Sequence, residues 1–306
     1  MKLFIKTLKG LEELLKDEVL ALGGREVQIE NRGVSCEGDL KFLYRANYEL
    51  RTALRVLVPT YHFMAHTERD FYRKVKKIDW SEVLSTEMTF AVDAISHSKV
   101  FRHSKFIGLR LKDAIVDQFK ENTGTRPNVD VHRPDILINV HITELKVIIS
   151  LDSSGDSLHK RGYRSGGHEA PINEVLAAGI LKMTNWDGKV PLIDPMCGSG
   201  TFLIEAGMMA SNMAPQKLNK DLGFTRWKNF DESLYQEIIK TADLKEQALP
   251  SIQGLDIDNQ SVAVAKRAVE KLGWSNQIKV RQASFFKEEN KHDKGFLVFN
   301  PPYGER

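Results

Sequence analysis

KVPLIDPMCGSGTFLIEAGMMA (residues 189–210) holds a short apolar run, a glycine-rich turn and a second apolar run of helical length. A strand that passes through Gly-x-Gly into a helix brings backbone amides and a helix N-terminus to whatever lies over the turn. The stretch therefore predicts an open α/β sheet with a ligand at its carboxyl edge. It also narrows the ligand. A dinucleotide site wants a third glycine where Leu203 stands, and a P-loop wants Lys after its glycines, where this sequence has Thr201 and Phe202. Asp194 closes the strand instead, a poor neighbour for a pyrophosphate but a good one for a ligand bearing an ammonium and a sulfonium. Cys197 reads as a small loop residue, since no nearby base would activate its thiol.

Downstream, SIQGLDID (residues 251–258) is a second strand that ends in acids. An acid at that tip can hold a ribose by its two hydroxyls. Asp256 is the first candidate; Asp258 is a helix cap and the second candidate. IKVRQASFF (278–286) reads as a third strand and GFLVF (295–299) as a fourth, which leads into FNPPYGER (299–306). Pro301 and Pro302 make a stiff turn that offers carbonyl acceptors without competing donors. Asn300 adds a side-chain carbonyl, Tyr303 a flat face and Gly304 room for close approach, so the turn can hold an amino group. An ordinary proline turn after a buried strand is the plainer reading of these residues alone.

Upstream, Pro171 is placed at the first position of a helix with an apolar side of Ile172, Val175, Leu176, Gly179, Ile180 and Met183. Residues 153–170 form a Gly/Ser linker carrying Lys160, Arg161 and Arg164. It reads as a hinge that touches substrate phosphates, with a merely soluble connection as the alternative. Residues 1–54 and 55–152 each alternate strands and helices and read as two small α+β units. Within the second, HSKVFRHSKFIGLRLK (97–112) has Lys99, Arg102, His103, Lys105, Arg110 and Lys112 and no acid, with Phe101 and Phe106 interleaved. One sign of charge with aromatic partners suits a nucleic-acid backbone. A solvated helix start with core-facing phenylalanines is the bland alternative. Residues 211–249 are a variable stretch rich in charge and loop residues.

The composition is that of a globular chain of two or three domains, with 306 residues, 42% hydrophobic and 28% charged. A net charge of +3 cannot argue for nucleic acid by itself. Two distant cysteines without a CxxC pair suggest neither zinc nor disulfides, and no membrane-length apolar run or signal-peptide core is present; the expectation is a cytoplasmic protein.

DPMCGSGTF, GLDID and NPPY in this order resemble S-adenosylmethionine-dependent methyltransferases that modify exocyclic amino groups of bases. KGLEELLKDEVLALG, DLKFLYRANYELRTALRVL and SLDSSGDSLHKRGYRSGGHEAPINEVLAAGIL resemble the THUMP-domain family of bacterial 23S ribosomal RNA guanine-N2 methyltransferases, also labelled as adenine-specific methylases. The resemblance implies an α/β fold: a ferredoxin-like α+β segment (1–54), a THUMP RNA-binding module (55–152), the linker (153–170) and a Rossmann-like methyltransferase domain (171–306). It implies S-adenosyl-L-methionine as cofactor, held by Asp194, Pro195, Cys197, Gly198, Gly200, Thr201, Asp256, Ile257, Ser284 and Asn300. Asn300, Pro301, Pro302 and Tyr303 would be catalytic, no metal would be required, and Lys99, Arg102, His103, Lys105, Arg110, Lys160, Arg161 and Arg164 would meet ribosomal RNA. Two departures stand out. Ser284 replaces an acid that in the family commonly meets the cofactor adenine, and the family continues past the fourth strand, so these residues are expected to be an incomplete domain of a longer chain. A DNA adenine-N6 methyltransferase and a non-catalytic RNA-binding or ribosome-assembly factor are the alternatives. A dehydrogenase is disfavoured by Leu203.

Overall fold

The computed structural model describes residues 1–164, 171–288 and 294–302. Alternation in KLFIK buries Leu3 and Ile5 and makes β1 (Lys2–Lys6). Helix α1 (Glu12–Ala21) follows, then β2 (Arg25–Glu30) and β3 (Gly33–Glu37). Asp39 caps α2 (Leu40–Glu49) by accepting the Phe42 N–H at 2.8 Å. The ten-residue β4 (Arg55–Met64) then pairs with β1 through Arg55 to Leu57 and with β8 (Lys146–Asp152) through Leu57 to Met64. The two amino-terminal units are thus halves of one eight-stranded sheet joined along β4, whose register shifts between Pro59 and Tyr61.

The second half adds α3 (Glu68–Lys76), β5 (Thr89–His97), α4 (Ser104–Thr123), β6 (Asn128–Val129) and β7 (Ile136–Thr143). Thr67 caps α3 by accepting the Asp70 N–H, and Gly124 stops α4 in the left-handed region at φ +76°. β7 and β8 form a hairpin, antiparallel from Leu137–Asp152 to Thr143–Lys146.

The second sheet is parallel, with strands β9 (Leu192–Asp194), β10 (Ile252–Asp256), β11 (Ile278–Gln282) and β12 (Phe296–Leu297). Their order is β11-β10-β9-β12, so the chain reverses direction across the sheet between β9 and β12. Open α/β sheets take their ligands at such a switch point. Helices α5 (Glu174–Met183), α6 (Thr201–Ala210) and α8 (Asn259–Lys271) belong to this domain. α5 starts three residues later than Pro171 suggests, because the Asn173 side chain accepts the Val175 and Leu176 N–H groups and fixes the cap there.

Residues 211–249 are the clasp between the halves. They include a 3₁₀ turn (Gly223–Arg226) and helix α7 (Glu232–Asp243), neither of which was expected. Phe224 stacks on Tyr44 of α2 with centroids 4.4 Å apart and planes 17° apart, and Phe230 and Tyr235 close around the pair. Gly223 and Phe224 donate backbone hydrogen bonds to Ser154 and Ser153.

The hinge reading of the linker fails for its described part. Ser153, Ser154, Leu158, Arg161 and Tyr163 are buried, and the rest of the segment, 165–170, lies outside the described residues. A buried, hydrogen-bonded strap cannot act as a free joint. Phe224→Ala should cost about 3–5 kcal/mol, since it deletes a fully buried ring at this junction. Chemical denaturation would measure it, and a loss below about 1 kcal/mol would mean the junction contributes little.

Candidate functional site

The strand ends of the parallel sheet open on one cleft of about 680 Å³. Its floor is the loop after β9. Gly198 and Gly200 sit at φ +51° and +81°, the left-handed region that lets the chain turn sharply from strand into α6. Leu203 at the third-glycine position is explained by the neighbouring strand: a Cβ on Gly254 of β10 would lie 2.4 Å from Leu203 Cδ1 and 3.1 Å from Cys197 Sγ. The glycine that allows close helix–strand packing is on the strand here, and the helix supplies the bulk.

Asp194 is 1% exposed. Its Oδ1 accepts the Met196 N–H at 3.1 Å, while Oδ2 is buried with no hydrogen-bond partner among the described residues. Burial pushes its carboxyl up to about 7, and the nearby Asp256 charge adds to the rise against the Met196 bond. An orphaned buried carboxylate oxygen facing a cleft is an invitation to a cationic donor.

Asp256 stands at the tip of β10, where its Oδ2 accepts the Gly198 N–H at 2.8 Å and its Oδ1 the Asp258 N–H at 2.9 Å. Each oxygen keeps a second lone pair for a ligand hydroxyl. Asp258 is the helix cap: its oxygens take the Gln260 and Ser261 N–H groups and the Ser261 hydroxyl. The two acids of the motif thus have separate tasks. Cys197 is a packed loop residue; burial and the neighbouring Asp194 and Asp256 push its thiol far above the usual range, which removes it as a nucleophile.

Pro195, Gly198, Thr201, Ile257 and Ser284 also line the cleft, as do Asn300, Pro301 and Pro302 at its exposed rim. Gly200 lies one step back, as the cap residue of α6. Tyr303 lies outside the described residues. Sequence reasoning missed the opposite wall, formed by Ile172, Asn173 and Leu176. Their spacing gave the signal, but an apolar stripe reads as core, and here Leu176 is 37% exposed into the cleft. The exposed Phe286 was also missed, because the third strand ends at Gln282 and Phe285–Lys287 form a 3₁₀ turn instead.

Two of the linker cations are corrected. Arg161 is 1% exposed, lies 3.5 Å from the fully buried Glu205 carboxylate, and donates to the Leu158 and Arg51 carbonyls. It cannot reach RNA. Arg164 donates to Ile172 O at 2.7 Å and to Thr201 Oγ1 at 2.9 Å, with Glu174 3.0 Å away, so it braces the cleft wall against α6. Lys160 remains exposed beside Asp156. In the other basic segment Lys99, Arg102, His103 and Lys105 are exposed and Arg110 is half-buried, but Phe101 is fully buried against Phe71 and offers no stacking face.

Comparison with known families gives a match for each part of the chain: an RlmL ferredoxin-like domain over residues 2–57, a THUMP domain over 65–152 and an RMKL-like methyltransferase domain over 161–306. A protein of Synechocystis named "Putative RNA methyltransferase" is 38% identical over 305 residues, covering 99% of this chain and 79% of its own. The crystal structure of SMU.472, "a putative methyltransferase complexed with SAH", superposes with a TM-score of 0.88 at 30% identity, covering 100% of this chain and 81% of that one. A "predicted N6-adenine-specific DNA methylase" from Listeria monocytogenes gives 0.89 at 32% identity, with coverage of 100% and 80%. Among the described residues no helix is long and apolar enough to cross a membrane.

The raised Asp194 carboxyl has a measurable consequence. A folded value above the unfolded 3.8 penalises folding increasingly as pH rises from about 4 to about 7, where the penalty levels off. Asp194→Asn keeps the acceptor for Met196 and removes the charge. Its stability relative to the parent should therefore rise by roughly 2–3 kcal/mol between pH 5 and pH 8 in ligand-free protein. Urea titrations at the two pH values would detect this, and a pH-independent difference would rule out the buried charge.

Proposed function

The chain belongs to the RMKL-like methyltransferase family that carries THUMP and RlmL ferredoxin-like domains, and on that premise we propose that it methylates guanine N2 in 23S ribosomal RNA. It is an S-adenosylmethionine-dependent RNA methyltransferase; the nucleotide is the proposed part. The observation that carries the reading is the convergence on one cleft of an unpartnered buried carboxylate oxygen, a strand-tip acid with spare lone pairs, and a rim of proline carbonyls beside Asn300.

These residues fit the cofactor. Asp194 Oδ2 lacks the donor that an ammonium would supply, and Asp256 suits a pair of ribose hydroxyls. Ile257, 72% exposed, and the Phe285 ring offer apolar faces for an adenine, and the Ser284 hydroxyl can bond its edge as donor or acceptor. When bound, S-adenosylmethionine supplies an activated methyl group on a sulfonium, an excellent leaving group.

The protein's own task is to prepare the acceptor nitrogen. An exocyclic amino group is a weak nucleophile because its lone pair is delocalised into the ring. The Asn300 side-chain carbonyl and the Pro301 carbonyl would accept its two hydrogens, so that the nitrogen pyramidalises and directs its lone pair outward. The same acceptors favour the positive charge that develops on nitrogen, and one of its protons then leaves to solvent at the exposed rim. Tyr303, next in sequence, would stack on the base. No general base of shifted pKa is needed for this chemistry.

The ribosomal assignment is supported by the resemblance to 23S enzymes along the amino-terminal half and by the RlmL-type first domain. The turn itself accepts either guanine N2 or adenine N6. Incubating the protein with ribosomal RNA and cofactor, then digesting to nucleosides for mass spectrometry, decides between them: N2-methylguanosine is expected, and N6-methyladenosine would overturn the guanine assignment.

Asn300→Ala should lower turnover at least about a hundredfold while cofactor affinity stays near the parent value. Full turnover on native RNA would remove Asn300 from the mechanism. Asp256→Ala should weaken cofactor binding by about tenfold or more, read by calorimetry; unchanged binding would leave the ribose without its assigned partner.

A further inference from the structure

We propose that Arg164 is a positioning residue for the cofactor: it fixes the spacing between the α5 wall and the floor of the cleft, and so holds the loop that receives S-adenosylmethionine. The proposal rests on the cofactor reading of that cleft and adds to it a residue that does not itself line the cleft. One guanidinium nitrogen, Nη2, donates both to Ile172 O at 2.7 Å and to Thr201 Oγ1 at 2.9 Å. Ile172 directly precedes Asn173, the cap of α5, and Thr201 is the first residue of α6, just after the glycine turn. Both residues line the cleft. Wall and floor bonded to the same atom cannot separate without breaking one of its bonds.

The loop is of a kind that needs such a tie. The chain reaches Thr201 through Gly198 and Gly200, both left-handed and without a side chain to pack. A Cβ on Gly198 would meet nothing within 4 Å, so no neighbour wedges that part of the turn in place. Its anchors are hydrogen bonds: the Leu255 carbonyl at the Cys197 N–H, the Asp256 carboxylate at the Gly198 N–H, and Arg164 at Thr201. The first two come from the sheet and the third from the strap. The strap grips the same helix again one turn further on. Thr201 and Glu205 lie four residues apart on one face of α6, where Tyr163 donates to Glu205 Oε1 at 3.3 Å and Arg161 lies 3.5 Å from it.

Arg164 also carries a charge that the site uses separately. Glu174, buried in the first turn of α5, has its Oε1 3.0 Å from Arg164 Nε, an ion pair without an aligned hydrogen bond. Burial pushes the Glu174 carboxyl up, and the Arg164 charge opposes the rise. The two tasks can be told apart by chemistry. A lysine would still balance the buried acid, because that needs only a positive charge. It would not span Glu174, Ile172 and Thr201 together, because an ammonium is a point charge on a flexible stem where guanidinium is a rigid, planar fork.

The test is calorimetry of S-adenosylhomocysteine binding to the full chain, with urea unfolding of each variant alongside. Arg164→Lys should recover most of the stability that Arg164→Gln loses, yet both should bind the ligand about tenfold more weakly than the parent. Thr201→Val, which removes the shared acceptor with little change of shape, should weaken binding to a similar degree. Arg164→Lys and Thr201→Val combined should then bind no more weakly than the worse of the two alone, since they break one tie. With saturating S-adenosylmethionine, turnover of Arg164→Lys on RNA should return to within about threefold of the parent, a change in KM rather than kcat. Parent-like affinity in Arg164→Lys, or losses that add in the double variant, would overturn the proposal and leave the cofactor cleft intact. A parent that binds no S-adenosylhomocysteine would overturn the cofactor reading as well. Should Arg164→Gln fail to fold, Arg164→Lys and Thr201→Val complete the cycle without it.

Discussion

The stack of Phe224 on Tyr44 is the contact on which the arrangement of the rest depends. It belongs to a segment inserted between α6 and β10 of the catalytic domain, and it buries that segment against a helix of the first domain. Lys228 reaches the Ser81 and Leu84 carbonyls, and Arg133 and Arg226 share Asp221, so the same insertion also grips the THUMP half. Arg51 adds bonds to Met208 and Met213 from the opposite side. Three units that look separable in sequence are held as one body by apolar packing with polar ties at its margin. A cleft bound so to an RNA-reading surface can address only bases at a set distance from where the RNA is gripped.

Much of the candidate site was legible because its chemistry is carried by short motifs at strand ends. Asp194, Gly198, Asp256 and Asn300 are each fixed by local backbone geometry, which sequence spacing encodes. The division of labour between Asp256 and Asp258 was legible too, since an Asp immediately before a helical run caps it by accepting the N–H groups of the first turn. The glycine of the close packing was not, because it lies on a neighbouring strand about fifty residues away and only tertiary contact reveals it.

What failed was reading burial from composition. Residues 153–164 are polar and glycine-rich, the ordinary mark of a linker, yet Arg161 lies in the core beside Glu205 and Tyr163. A buried guanidinium is tolerated there because carbonyls and a carboxylate surround it, and no one-dimensional pattern shows that such partners exist. Phe101 failed for the opposite reason: flanked by Lys and Arg in sequence, it points away from them. The clasp was unreadable because its aromatic residues follow no helical or strand period and find their partners on α2.

The active cleft and the THUMP half impose complementary demands. On the proposed reading Asn300 and the proline carbonyls receive the amino group of a base, and a base that reaches them has to leave its stack, which costs a few kcal/mol. Methyl transfer contributes nothing to that cost before the base arrives. It has to be met by binding energy gained elsewhere on the RNA, and backbone contacts can supply it because they do not depend on the base being paired. Such energy is useful only if the gripping surface cannot drift relative to the cleft. The buried strap and the aromatic clasp meet this requirement, which gives a physical reason for fusing the RNA-reading sheet to the catalytic one so tightly.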